Sequence, residues 1–179
     1  SRADMGFFDK LFAEKHSIDK VVGGSEPEQK EIRKDMNRRF KDQDRFDKAK
    51  IFEREKTEFE MKAVRFANEA TNALREKYGL ADYDLSPENF HILQDNEEVR
   101  KRAPHPATYG EYDVMEQAVL LIENPSRIAT LRNIFHEMTH FKSYTTLWPQ
   151  KDRLRKRRVG LVAAANEGGF MFMSLNEAV

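Results

Sequence analysis

The chain of 179 residues is long enough for one domain with an appendage, but not for two full domains. It carries 31 Lys and Arg against 31 Asp and Glu, so any charge-driven partner must meet a local patch rather than a global field. The absence of Cys excludes disulfides, thiolate metal sites and Cys nucleophiles. The sequence also has no signal-peptide pattern and no apolar run of ~18 to 20 residues. Together with the absence of Cys, this predicts a cytoplasmic protein without a transmembrane segment.

The first 62 residues are unusually charged, because 31 of them are Lys, Arg, Asp or Glu, against ~25% in an ordinary globular chain. Within them, Ile32, Met36 and Phe40 recur every four residues among helix-forming Glu, Lys and Arg, which predicts one or two charged helices. Residues 1–60 are therefore a predicted charged helical appendage. Its helices and the apolar cluster at residues 7–12 are expected to dock onto a partner or onto the chain's own fold.

The folded domain is predicted to span residues 61–179. Apolar residues from Ala63 to Tyr78 share one helix face, and Gly79 marks the end of that helix. Short strands are predicted at residues 90–93 and 118–122, with a Pro- and Gly-containing loop between them.

The next helix is predicted to begin at Asn124 as its N-cap, with Pro125 in the first turn, and to end near Leu147. Two strands, near residues 159–165 and 170–174, are predicted beyond it, joined by a turn. The basic run Lys151–Arg158 is interpreted as a solvated loop. Because the whole chain is neutral, a nucleic-acid partner is disfavoured.

His136, Glu137 and His140 form an HExxH motif inside this predicted helix. Residues four apart project from one helix face, so the two imidazoles can bind a single Zn²⁺. Glu137 can then reach a metal-bound water, whose pKa zinc lowers toward ~7, and act as its general base. The motif therefore predicts zinc-assisted hydrolysis of a peptide bond.

A catalytic zinc site usually has three protein ligands, and no His follows His140. The other histidines lie upstream and are interpreted as surface or hydrogen-bonded residues: His16, His91 and His105. The downstream carboxylates are Asp152, Glu167 and Glu177. Asp152 lies among basic residues and is interpreted as their solvated counter-charge, which leaves Glu167 and Glu177 as candidates for the third ligand.

The sequence resembles the gluzincin metallopeptidases, in which HExxH is followed by a helix-borne Glu ligand within NEG or NEA. Both spellings occur here, as Asn166-Glu167-Gly168 and Asn176-Glu177-Ala178. Residues 61–179 are also similar to small prokaryotic minigluzincin-type proteins. The resemblance implies a zincin-like α+β domain with a small mixed sheet over the HExxH helix, a zinc cofactor and a Glu as third ligand.

Glu177 is the predicted third ligand, because residues 175–178 favour a helix start whereas Glu167 falls in the predicted turn. The chain ends at Val179, where members of the family continue this helix. Three alternatives stay open: the chain is cut short in its last helix, neighbouring segments hold Glu177, or Glu167 is the ligand.

Three functions fit these residues. The expected one is a zinc-dependent peptidase acting on a peptide or protein, with His136, His140 and Glu177 as zinc ligands and Glu137 as base. The second is a zinc-containing structural or interaction module without turnover. The third is a latent peptidase whose N-terminal helices cover the cleft.

Overall fold

The computed structural model describes residues 16–44, 50–102, 109–151, 153–159, 162–164 and 170–171. These ranges contain four α-helices and eight strands, so the predicted α+β class is confirmed. In chain order, the elements are β1 (Lys20–Val21), α1 (Glu26–Lys41), α2 (Glu58–Lys77), β2 (Phe90–Leu93), α3 (Glu97–Arg102), β3 (Gly110–Asp113), β4 (Ala118–Ile122), α4 (Arg127–Phe141), β5 (Thr145–Gln150), β6 (Arg153–Val159), β7 (Val162–Ala164) and β8 (Phe170–Met171).

The helix that carries the HExxH motif, α4, begins later than predicted. Its N-cap is Ser126, whose side chain accepts a hydrogen bond from the backbone N–H of Ala129. Asn124 lies before the helix and its Oδ1 accepts the N–H of Ser126 at 2.9 Å, which orders the preceding turn. The prediction of Asn124 as N-cap is therefore wrong by two residues.

The same helix also ends earlier than predicted, at Phe141 rather than near Leu147. Residues 145–150 form strand β5, which pairs with β1 on one side and β6 on the other. Thr145 and Thr146 are β-branched and both are buried, so they fit a pleated core strand better than a helix end.

A three-stranded mixed sheet lies against α4. Its order is β2-β4-β3, with β4 in the centre, parallel to β2 and antiparallel to β3. The main apolar core forms between this sheet and helices α2 and α4, around fully buried Phe90, Val119, Ile134, Met138 and Phe141. Strand β3 therefore lies at one end of the sheet, beside the motif helix.

A second, five-stranded mixed sheet has the order β1-β5-β6-β7-β8. Where residues are described, the predicted strands near residues 159–165 and 170–174 coincide with β7 and β8, and the turn predicted between them lies outside the described residues. The basic run at residues 151–158 was expected to be a loop. Most of it is instead strand β6, antiparallel to β5, so that interpretation is wrong.

Residues from the predicted N-terminal appendage pack into the same cores as later residues. Phe40 lies in the main core, and Met36 shares a second core with Val21 and Leu147. The boundary at residue 61 stays a prediction, and residues 7–12 lie outside the described part. Within the described residues, no helix combines the length and apolar character needed to cross a bilayer.

Candidate metal centre

Helix α4 brings the two motif histidines together. The Nε2 atoms of His136 and His140 are 3.1 Å apart, and the two rings stand nearly perpendicular, at 85°. Ile134, Met138 and Phe141 anchor the opposite side of this helix in the main core. The helix period of 3.6 residues thus separates core contacts from the side on which the two ring nitrogens converge.

The separation of the two nitrogens fits a shared metal ion. With Zn–N bonds of about 2.0 to 2.1 Å, a 3.1 Å separation corresponds to an N–Zn–N angle of about 95 to 102°, near the tetrahedral value. The same separation also suits a direct hydrogen bond between one protonated and one unprotonated Nε2. The donor set therefore fits zinc without requiring it.

Glu137 is held between α4 and the backbone of strand β3. It is buried, and its side chain lies so close to Gly110 that a Cβ placed there would come within 2.6 Å of Oε1 and 2.7 Å of Cγ. Only a glycine leaves this space for the carboxylate side chain. The sequence showed Gly110 as part of a loop, and nothing in the sequence alone indicated its contact with Glu137.

Tyr112, two residues further along β3, stacks on the ring of His140. The ring centroids are 5.2 Å apart and the planes differ by 9°. Stacking fixes the rotation of the imidazole, so this tyrosine helps to set the direction of Nε2. No pattern in the sequence indicated a role for Tyr112, because the contact depends on how β3 crosses the helix.

The C-terminal end of α4 is fixed by buried polar contacts from α2. The Nζ of Lys142 donates to Asn68 Oδ1 at 3.0 Å, Thr71 Oγ1 at 3.0 Å and Asn72 Oδ1 at 2.7 Å. Burial lowers the pKa of Lys142 to about 7. The Nη1 of Arg75 donates to the backbone oxygen of Lys142 at 2.6 Å, which satisfies a helix-end carbonyl.

The histidines outside the motif do not join it in the described part of the chain. His91 is buried on β2, with its Nδ1 3.0 Å from Glu53 Oε2 and its Nε2 2.9 Å from Gln43 Oε1. The Nδ1 of His16 accepts the N–H of Ile18 at 3.2 Å. His105 lies outside the described residues.

The third zinc ligand is not among the residues that the structure describes. Within those ranges, no three His, Asp or Glu side chains are grouped so as to hold a metal ion. The three downstream carboxylates, among them the predicted ligand Glu177 and its alternative Glu167, lie outside these ranges. The described geometry therefore supplies the two histidines and the base of the predicted site.

Comparison with known proteins adds no family. No model of a known protein family matches the chain, and searches of curated proteins and of solved structures find no match either. The structure defines an α+β protein in which one helix, packed against the main core, presents a pair of converging histidines.

Proposed function

We propose that the protein is a zinc-dependent peptidase with a zincin-like arrangement. The observation that carries the proposal is the 3.1 Å separation of the His136 and His140 Nε2 atoms on one helix, with Glu137 between them in sequence. The mixed sheet beside that helix supports the zincin-like interpretation, since it places an edge strand next to the motif.

In this proposal, His136 and His140 hold the metal, and Glu177 from the end of the chain completes the ligand set. Bound zinc supplies a Lewis acid for the scissile carbonyl and lowers the pKa of an attacking water. Glu137 removes the proton from that water and delivers it to the leaving amine. Tyr112 keeps the ring of His140 in its ligating orientation through the stacking contact.

Strand β3 offers a place for an extended substrate. It forms the end of the three-stranded sheet, and no strand within the described ranges covers its outer edge. An extended peptide can pair with such an edge through backbone hydrogen bonds. A peptide bound there lies beside Gly110 and Tyr112, which contact Glu137 and His140 respectively.

The proposal is tested by zinc content and peptide cleavage in matched variants of the full chain. Glu137→Gln should keep one zinc per chain and lose cleavage of a mixed peptide library by at least about a hundredfold, since general base catalysis contributes about 10² to 10⁴. Glu69→Gln makes the same chemical change at an exposed position of α2 and should leave both unchanged. Zinc-loaded wild type without cleavage would contradict the peptidase assignment.

A second candidate is a zinc-containing structural module without turnover. It is favoured by burial, because Glu137 and His140 expose only 7% and 4% of their surface. In that case, zinc is retained by wild type and lost from His136→Ala, yet no peptide is cleaved.

A latent peptidase differs from both, because proteolytic nicking of the N-terminal segment in the folded chain should then raise cleavage.

A further inference from the structure

The hairpin of β5 and β6 extends past its neighbours in the five-stranded sheet. Among the described residues, β1 pairs with β5 only at Thr146 and Leu147, and β7 pairs with β6 only at Arg158 and Val159. Beyond those positions, residues 148–156 pair only with each other among the described strands. We call this two-stranded segment the basic ribbon.

The two faces of the basic ribbon differ in character. On one face, Leu147 is fully buried and Leu154 packs against the second core. Side chains alternate along a strand and directly paired residues share a face, so Arg153 and Arg155 lie on the other face, opposite Gln150 and Trp148. One side of the ribbon therefore joins the fold, while the other carries the arginines.

A lysine from the neighbouring strand extends the charged face. Lys20 of β1 is exposed and pairs in register with Thr146, which pairs in turn with Arg158 of β6. The face thus spans three adjacent strands, with its charged residues on the outer two, β1 and β6. We call it the basic face and define it by Lys20, Arg153 and Arg155.

The basic face is not neutralised within the described part of the chain. No acidic side chain there forms an ion pair with Lys20, Arg153 or Arg155. Other arginines behave differently: Arg54 pairs with Glu60 at 2.7 Å, and Arg75 pairs with Asp19 at 2.6 Å. Among the described residues, this surface therefore concentrates positive charge that no acidic side chain pairs with, although the chain as a whole has zero net charge.

We infer that the basic face binds the phosphate backbone of a nucleic acid, without sequence preference. Residues 151–158 contain four Arg and two Lys, and Arg matches phosphate geometry better than Lys does. A two-stranded ribbon is one of the few protein elements that fits the ~12 Å major groove of duplex DNA. This combination of shape and arginine content favours nucleic acid over an acidic protein.

The strand structure of the basic run reverses its interpretation as a solvated loop with no nucleic-acid partner. As a loop, the basic run would hold its charges in no fixed arrangement, and overall neutrality argued against a polyanion. As a strand, Arg153 and Arg155 stand two residues apart on one face, about 6.7 Å from each other along the strand. The inference does not rest on the proposed peptidase activity.

The test is fluorescence anisotropy of a labelled DNA duplex of about 20 base pairs titrated with the full chain. We expect micromolar binding at 50 mM salt that weakens at least about tenfold by 200 mM, as counterion release requires. The double variant Arg153→Gln/Arg155→Gln should weaken binding about tenfold or more. It should also reduce the salt slope by about 2, or about 1 for each lost phosphate contact.

A matched control removes two exposed lysines from elsewhere. The variant Lys34→Gln/Lys62→Gln changes residues paired with Glu31 and Glu58 on helices α1 and α2, and it should stay within twofold of wild type. Circular dichroism verifies that both variants are folded. The inference would be overturned if the chain did not bind the duplex at 50 mM salt, or if the control variant weakened binding as much as Arg153→Gln/Arg155→Gln. It would also be overturned if poly-glutamate bound as tightly as the duplex, which would indicate an acidic protein partner.

Discussion

Gly110 is the residue at which strand β3 and the proposed base meet most closely. The space a side chain would need there is taken by the Oε1 and Cγ atoms of Glu137. Gly110→Ala should therefore displace the carboxylate while leaving the histidines in place. We expect zinc content to be unchanged and peptide cleavage to fall by about 10²-fold, since a displacement near 1 Å has a cost of that order.

The matched control for this substitution is Gly79→Ala. No atom lies within 4 Å of a Cβ at Gly79, but its φ of +71° makes the change mildly destabilising. It should lower stability without lowering cleavage per folded molecule. Unchanged cleavage in Gly110→Ala would show that Glu137 does not act from the position seen here.

At the scale of elements, the start of α2 depends on one buried carboxylate. Glu60 accepts hydrogen bonds from the N–H of Thr57 at 2.7 Å and from Arg54, whose Nε also donates to Glu123 at 2.6 Å. Burial raises the pKa of Glu60, but the hydrogen bonds from Arg54 and Thr57 outweigh it and hold the pKa below its usual range.

The direction of this pKa shift predicts a loss of stability in acid. The unfolded chain takes up a proton near pH ~4.3, before the folded chain does, so the stabilisation is present above that pH and disappears as pH falls through the folded pKa. Glu60→Gln should lower the free energy of unfolding by about 1 to 3 kcal/mol at pH 7. In urea unfolding, the difference between Glu60→Gln and wild type should shrink by pH 3. The control Glu58→Gln, at an exposed position, should have nearly the unfolding free energy of wild type at both pH values. If Glu60→Gln lowers that free energy equally at pH 7 and pH 3, the lowered pKa of Glu60 is contradicted.

Asp19, directly before β1, links that strand to α2 and β5. The carboxylate oxygens of Asp19 accept hydrogen bonds from Arg75 of α2 at 2.6 Å and from the N–H of Thr145 at the start of β5 at 2.8 Å. Asp19→Ala leaves a buried guanidinium without its partner, which should cost about 3 to 5 kcal/mol of unfolding free energy. Asp44→Ala, at an exposed position, should cost less than about 0.5 kcal/mol in the same urea titration; equal effects would argue against the buried pair.

Local patterns predicted some elements well and failed on others for a definite reason. The short apolar runs at residues 90–93 and 118–122 indicated β2 and β4, and both strands are buried along most of their length. Residues 145–147 continued the apolar spacing of the predicted helix, but pairing with β1 and β6 places them in strand β5. Pro149 is tolerated because only β6 pairs with β5 at that position.

The candidate site was predictable in its chemistry and not in its surroundings. The four-residue spacing of His136 and His140 predicted that their ring nitrogens would converge, since this convergence depends only on helix geometry. The contacts of Gly110 and Tyr112 depend on how a strand crosses that helix, which no local pattern encodes.

At the scale of the whole molecule, zinc binding should stabilise the fold. A ligand that binds only the folded chain adds about 2.7 kcal/mol at a hundredfold excess over Kd, which raises Tm by about 5 to 10 °C for a chain of this size. Differential scanning fluorimetry with and without zinc should show this rise in wild type and not in His136→Ala. A rise of the same size in the variant would place the metal elsewhere.

The central claim is most directly tested by X-ray diffraction at the zinc absorption edge from crystals of the zinc-loaded chain. We expect an anomalous peak about 2.0 to 2.1 Å from both the His136 and His140 Nε2 atoms, with a Glu177 oxygen at about 2.0 to 2.2 Å. A Glu167 oxygen at that distance would change only the identity of the third ligand. A zinc peak away from the two histidines, or none between them, would contradict the proposed metal site.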